Sequence, residues 1–295
     1  MLPSELTTPQ VTILTPTWNR RHLLPRLYDS LVAQQVPHGS FEWLVVDDGS
    51  TDGTSDWLAT LIPGAPFPIR VIRQENGGKH RALNRAAREL LSSWVLIVDS
   101  DDWLLPEAVH KILEETSSAT LDVLAIIAPI EIEGLPPRRF RLSTRTITFA
   151  EWLDQSQVGD TSIIMRSSLL REHPFPEFEG EKFVAESSSF SRMFRRGGVQ
   201  LSNAAITRGA YLEDGLSAQS LRLRVANPLG ALFTYREHIK SNLSWRLALR
   251  SRINYYRFFE HAKSRGRDPE NFGFRAGQPF RLLGWIAAKI DNRVK

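Results

Sequence analysis

Along the N-terminal third of the chain, short runs that are apolar at nearly every position alternate with stretches whose apolar residues recur every three or four positions. The runs VTILTPTW (Val11 to Trp18), FEWLVV (Phe41 to Val46), PIRVIRQ (Pro68 to Gln74) and WVLIV (Trp94 to Val98) are rich in β-branched and aromatic residues and predict strands. Between the first two, Leu23, Leu24, Leu27, Leu31 and Val32 fall at helical spacing, with Pro25 suited to a first turn. Further helices are expected from about Ser55 to Leu61 and from about His80 to Leu91. The rhythm is βαβαβαβ. Near-continuous apolar strands joined through helices predict a parallel sheet covered on both faces.

Beyond Asp102 the pattern becomes mixed. PEAVHKIL predicts a helix with Pro106 at its first position, LDVLAIIAPI a core strand, and TSIIMRSSLLREH a strand followed by a short helix. VAESSSFSRMFRRGG predicts a helix ending at Gly197 and Gly198, and the Pro- and Arg-rich stretch from Glu131 to Phe149 reads as short strands and loops. From Pro228 the reading is helical, through PLGALFTYREHIK, SWRLALRSRINYYRFFEHAKS and PFRLLGWIAAKI. The fold class expected is α/β, with a mostly parallel central sheet flanked by helices and a C-terminal helical extension.

Composition narrows the chemistry. The 295 residues, 42% hydrophobic and 24% charged, suit a soluble globular protein. The absence of cysteine excludes disulfides, thiolate metal sites and cysteine nucleophiles. The opening MLPSELTTPQ lacks the basic and then apolar regions of a secretory signal. The longest nearly uncharged apolar run, Val123 to Ile130, is far short of the ~20 residues of a spanning helix. A soluble or peripheral, cytoplasmic protein is expected. The formal charge of +4 conceals an asymmetry: from Gln219 to Lys295 sixteen Lys or Arg stand against five Asp or Glu, a net +11, which leaves −7 on the first 218 residues.

In open parallel sheets, ligands sit beyond the carboxyl ends of the strands, where the strand order reverses. The expected strand ends carry Thr15 to Asn19, Asp47 to Thr51, and Asp99 to Asp102. The last of these, within VDSDDW, places three carboxylates in four positions. Like charges so close repel, and a divalent cation shared with a ligand's phosphates would neutralise both partners. Mn²⁺ and Mg²⁺ favour oxygen ligands, and Mg²⁺ typically takes one or two protein carboxylates besides water and phosphate. A single Asp at such a place is usually a turn residue; the trio, with a second pair at Asp47 and Asp48, points to an ion site.

VTILTPTWNR, EWLVVDDGSTDGT, NGGKHRALNRA and VLIVDSDD, in that order over about 90 residues, closely resemble the motifs of family 2 glycosyltransferases. The resemblance implies the GT-A nucleotide-diphospho-sugar transferase fold, a nucleotide-diphosphate-sugar donor, a divalent metal (Mn²⁺ or Mg²⁺) at an Asp-x-Asp motif, and hexosyl-type transfer with inversion at the anomeric carbon. It implies a catalytic domain over 1–218, with a nucleotide-binding half at about 10–105 and an acceptor half at about 106–218, and a basic helical region over 219–295. Pro16, Thr17 and Asn19 resemble the loop along the nucleoside. Asp47 and Asp48 resemble the pair of which one receives the N–H of a uracil or thymine base, so a UDP-sugar is the first choice of donor. Asn76, Gly77, Gly78, Lys79 and Arg81 resemble the loop beside the nucleotide, where glycines admit close backbone approach and cations meet phosphate. Asp99, Ser100 and Asp101 form the Asp-x-Asp stretch, with Asp101 the first choice of metal ligand and Asp99 the second. Asp102 is expected to close the turn, and His80 to lie on a helix surface.

Inverting transfer also needs a general base for the acceptor hydroxyl. EGEKFVAESSSF resembles the region that carries an acidic pair in many relatives, but here the pair has become Glu186-Ser187. Glu186 is the first candidate and Glu181 the alternative. YLEDGLS and NPLGAL resemble segments that follow the base in a subset of bacterial family members, which implies Asp214 or the neighbouring Gly215 and Ser217 as further candidates near the diphosphate or acceptor. The implied acceptor is a glycan or lipid-linked saccharide in bacterial surface-polysaccharide synthesis. The interleaved cations and aromatics of the C-terminal helices suit an anionic membrane surface, giving peripheral attachment at the inner face, or equally a packed bundle with a solvated basic face. No nucleic-acid motif is present. The alternative function is a catalytically silent sugar-nucleotide or glycan-binding protein on the same fold.

Overall fold

A computed structural model describes residues 8–142, 145–155, 160–210, 219–277 and 279–291. In chain order β1 (Val11–Thr17), α1 (Leu24–Val32), β2 (Phe41–Asp47), α2 (Thr54–Leu61), β3 (Ile69–Arg73), α3 (Lys79–Ala87) and β4 (Trp94–Ile97) make up the expected alternation. There follow β5 (Trp103–Leu104), α4 (Ala108–Ser118), β6 (Ala125–Pro129), β7 (Glu131–Ile132), α5 (Phe149–Gln155), β8 (Thr161–Arg166), α6 (Ser168–Glu172), α7 (Ser187–Met193), β9 (Val199–Leu201) and β10 (Thr207–Gly209). Four helices come last: α8 (Ser220–Ala226), α9 (Pro228–Ile239), α10 (Trp245–Ser264) and α11 (Pro279–Asp291).

Every residue of β1 and β2 is buried, which is why these strands are apolar without alternation. The seven-stranded sheet has the order β3-β2-β1-β4-β8-β6-β9. β1 pairs in parallel with β2 and β4, β2 with β3, and β6 with β9; only β8 runs antiparallel, against both β4 and β6. The strand order reverses at β1, with β2 on one side and β4 on the other, so the ligand crevice expected of such sheets lies at the ends of these strands. Register aligns Thr17 with Asp47 and Asp47 with Arg73, which brings the polar strand ends level. Beneath them Ile13, Trp43, Val45, Leu24, Leu27, Leu31, Leu58 and Leu96 form the core, each such side chain contributing roughly 1.5–3 kcal/mol by burial. A small sheet of order β5-β10-β7 sets the start of β5 beside β10.

The chain forms two compact units. One takes in the chain up to Ile147, Gln155–Glu172 and Gly197–Tyr211; the other comprises Thr148–Asp154, His173–Arg196 and the chain from Leu212. The second has its own core, in which Tyr255, Tyr256, Phe258 and Phe259 of α10 are buried with Val225, Leu232 and Ala276.

Several expectations are corrected. Pro106 does not open its helix: Glu107 takes a left-handed conformation at φ 60° and α4 starts at Ala108, because the chain turns once more before the helix begins. The helix after Glu186 ends at Met193, short of the two glycines. His80 is buried on α3, not on its surface, since α3 packs beneath the sheet through Ala82, Leu83 and Ala86 as well. Asp214, Gly215 and Ser217 lie outside the described residues.

Candidate active site

At the end of β2, the two adjacent acids are fully engaged by the protein's own donors. Asp47 is buried, with Oδ1 accepting from Ser50 N at 2.9 Å and Oδ2 from Ser55 Oγ, and the Arg73 guanidinium lies 3.9 Å away. Asp48 takes four hydrogen bonds: Gln74 Nε2 (2.7 Å) and Gly77 N (2.9 Å) donate to Oδ1, Asn76 Nδ2 (3.0 Å) and Gly78 N (2.7 Å) to Oδ2. A carboxylate has about four lone-pair sites, so this set is complete. Asp48 thereby fixes the loop 74–78. Gly49 allows it: at φ 80°, and with a Cβ there only 2.8 Å from Asn76 N, no side chain fits.

Pro16 and Thr17 end β1 inside the sheet, where Thr17 O accepts from Asp48 N at 2.9 Å. Asn19 sits in the left-handed region at φ 51°, tolerable for Asn. Its Oδ1 accepts from Thr51 N (2.8 Å) and its N–H donates to Ser50 Oγ (2.9 Å), so the loops after β1 and β2 are stapled together. Trp18 stands beside them half-exposed. Arg81 folds back along α3, its Cδ crossing over Gly77 so closely that a Cβ on Gly77 would lie 2.5 Å from it.

The end of β4 is organised differently. Lys79, the first residue of α3, pairs with Asp99 through Oδ1 (2.5 Å) and Oδ2 (2.8 Å). Asp102 N donates to Asp99 O, closing the turn that also buries Ser100. Asp101 and Asp102 receive no side-chain donor among the described residues. Burial and then the neighbouring Asp99 charge hold Asp101 above the usual carboxylate range, eased by a backbone N–H and by the charges of Lys79 and Arg20. Burial, then Asp99 and Asp101, push Asp102 up to about 8. Asp102 packs on β10, where a Cβ at Gly209 would meet its Oδ1 at 2.2 Å.

This donor set fits a hard divalent cation. Two carboxylates, Asp99 and Asp101, face one another's charge at a strand end, and Asp101 has the oxygen chemistry Mn²⁺ or Mg²⁺ prefers. Among the described residues no three Asp, Glu or His side chains converge on one point, so such a cation would complete its shell with water and ligand oxygens.

The two candidate bases belong to the second unit and differ in what they do there. Glu181 is buried, with Oε1 accepting from Leu229 N (2.9 Å) and Oε2 from Gly230 N (2.8 Å) at the N-terminus of α9. Asn227 Oδ1 in turn accepts from Lys182 N at 2.7 Å. Burial raises the Glu181 carboxyl, opposed by these N–H groups. Glu181 is thus a helix cap. Glu186 immediately precedes α7 and is half-buried.

Sequence reading missed Ser55, Gln74 and Gly209 as parts of this site. Gln74 and Ser55 stand directly beyond β3 and inside α2, places where a polar residue next to a carboxylate-bearing strand end is a usable signal. Gly209 leaves no such trace.

The model of the family "Glycosyl transferase family 2" matches residues 12–173. Poly(ribitol-phosphate) beta-N-acetylglucosaminyltransferase TarS of Staphylococcus aureus is 27% identical over 169 residues, 56% of this chain and 29% of TarS. A putative teichuronic acid biosynthesis glycosyltransferase of Bacillus subtilis, TuaG, is 26% identical over 161 residues, 53% of this chain and 62% of that protein. This chain therefore spans less than a third of TarS and under two thirds of TuaG. Among solved structures, S. aureus TarS in complex with UDP-GlcNAc superposes with a TM-score of 0.63 at 18% identity, covering 93% of this chain and 79% of that one. A mannosyltransferase from Pyrobaculum calidifontis in complex with GDP-Man and Mn²⁺ gives 0.60 at 20% identity, covering 98% and 88%.

Proposed function

Because the chain belongs to glycosyl transferase family 2 and has the GT-A fold, we propose that it transfers a hexosyl group, with inversion, from a nucleoside-diphosphate sugar to a saccharide or lipid-linked saccharide acceptor in surface-polysaccharide synthesis. The observation that carries this reading is the end of β4: three carboxylates, two of them held above their usual range by burial and mutual repulsion, where the sheet order reverses.

The loop fixed by Asp48, with Pro16, Thr17 and Asn19 on the neighbouring strand end, holds the nucleoside. Uridine is the first choice, supported by the UDP and UDP-GlcNAc complexes of TarS, and guanosine, as in the Pyrobaculum calidifontis mannosyltransferase, is the competitor. Asp101 and Asp99 hold Mn²⁺ or Mg²⁺, which supplies charge stabilisation for the departing diphosphate. Lys79 and Arg81 add positive charge beside it. Glu186 takes the proton of the acceptor hydroxyl as that oxygen attacks the anomeric carbon, and the bond to the diphosphate breaks. Glu186 is preferred to Glu181 because both oxygens of Glu181 already accept from α9. With a lipid-linked acceptor, the protein works at the inner face of the cell membrane.

A thermal-shift screen of UDP-, GDP- and dTDP-sugars with and without Mn²⁺ tests the reading. Stabilisation by one nucleotide that requires metal, with release of nucleoside diphosphate, is expected. Binding without release in the presence of candidate acceptors would instead favour a silent sugar-nucleotide-binding protein, the reading suggested by Ser187 in place of a second acid.

A further inference from the structure

Helix α11 is packed with its small residues inward and its large apolar residues outward. Gly284 and Ala288 are buried, and a Cβ on Gly284 would lie 2.4 Å from the Cβ of Tyr256 on α10, so the two helices meet at close range through this seam. Leu282, Leu283, Trp285, Ile286 and Ile290 are all exposed, Leu282 at 65% and Ile290 at 56%. At 3.6 residues per turn, Leu282, Leu283, Ile286 and Ile290 occupy an arc of roughly 100° opposite Gly284 and Ala288, with Lys289 and Trp285 along one border. A surface helix ordinarily carries the reverse arrangement. Its neighbour does: α10 buries Tyr255, Tyr256, Phe258 and Phe259. Single exposed leucines need no explanation, but five large apolar side chains on one short helix form a patch.

The charge around the patch indicates what covers it. Lys289 is exposed at the border of the patch, its Nζ 5.6 Å from the centre of the Trp285 ring, whereas Arg281 lies on the other side of α11 with its guanidinium 5.6 Å from the centre of the Phe259 ring. The one acid of the helix, Asp291, is taken up by Arg257 and by His261 at 2.8 Å. The chain from Gln219 onward carries a net +11. A second copy of this chain would bring the same cations face to face, whereas anionic lipid complements them. At about 1.5 Å per residue the helix is roughly 20 Å long, too short to span a bilayer core of about 30 Å, and no helix among the described residues is long and apolar enough to cross a membrane.

We propose that the outward face of α11 docks this protein on an anionic lipid surface. The helix lies in the interface plane, with Leu282, Leu283, Ile286 and Ile290 at the acyl boundary, Trp285 at headgroup level, and Lys289 reaching the lipid phosphates. The inference deepens the proposed transferase function, since a lipid-linked acceptor is held at the same kind of surface, and it rests on that reading only for its purpose.

The test is co-sedimentation of the full chain with phosphatidylcholine vesicles, with and without phosphatidylglycerol, in the absence of donor and metal. The wild type is expected to partition onto the anionic vesicles at least about tenfold more strongly than onto neutral ones, and less so at high salt. The double variant L282E/I286E is expected to lose about tenfold or more of that partition with an unchanged melting temperature, because both side chains face solvent. K289E is expected to weaken the preference for anionic vesicles. Equal partition of the wild type and L282E/I286E, or no vesicle binding by the wild type, overturns the proposal. So does a concentration-dependent dimer in light scattering that L282E/I286E abolishes without change in vesicle partition. Since no substrate is present, failure here leaves the transferase reading standing, and absent turnover with intact vesicle binding removes only that reading.

Discussion

Asp48 and Asp101 both stand just beyond the end of a parallel strand, beside a second acid, and the chain treats them in opposite ways. Around Asp48 it supplies four donors, two of them backbone N–H groups of the loop that follows β3. Around Asp101 it supplies burial and the charge of Asp99, with a backbone N–H but no side-chain donor among the described residues. An acid whose lone pairs are filled by its own chain is part of the scaffold. An acid that is buried among like charges and left short of donors is one that a proton, or a cation brought from outside, would satisfy.

Removing each acid therefore has a different signature. Asp101→Ala is expected to lower kcat/KM about a thousandfold or more, the scale of several kcal/mol of lost charge stabilisation, while the ligand-free protein melts no lower than the wild type. Steady-state kinetics with Mn²⁺ and a melting curve on the same sample check both halves; a large drop in melting temperature would place Asp101 in the scaffold. Asp48→Ala is expected to do the reverse in order of severity, costing roughly 3 kcal/mol of unfolding free energy by orphaning the donors of loop 74–78, as read by urea denaturation.

Much of this half of the molecule was legible in the sequence, for a physical reason. Strands β1, β2 and β4 are buried on both faces, so their apolar runs and the polar residues ending them stand out in one dimension. Strands of two or three residues, such as β5, β7 and β10, have no period to read, and β8 gave no sign that it runs antiparallel. Pairings over long sequence distance were equally invisible. Glu181 read as a candidate base because its engagement with α9 spans 48 residues, and the contact of Asp102 with Gly209 sets the approach to β5 against β10, far away along the chain. Helix α11 was recognisable by its periodicity, yet nothing in the pattern said that Gly284 and Ala288, rather than the leucines, would face α10.

The pH dependence of the ligand-free protein sharpens the contrast. Asp102 titrates at about 8 in the folded state against 3.8 unfolded, so the stability it contributes is complete below about pH 4 and is lost as pH rises through 8. Between pH 6 and pH 8 this amounts to about 2 kcal/mol, and Asp102→Asn should flatten the profile. Chemical denaturation across that range measures it; a wild-type stability that rises with pH in parallel with the variant would contradict the assigned burial. The smallest effect is expected from Gly209→Ala, where the new methyl must displace the Asp102 carboxylate at a cost of roughly 1 kcal/mol.

The central claim, that the chain satisfies the acids after β2 and leaves Asp101 after β4 to a cation, is tested most directly by the electron paramagnetic resonance of Mn²⁺ titrated with UDP. Wild-type protein is expected to remove free Mn²⁺ signal beyond the level set by UDP alone, and Asp101→Ala is expected to leave it at that level. Undiminished Mn²⁺ uptake by Asp101→Ala would contradict the account.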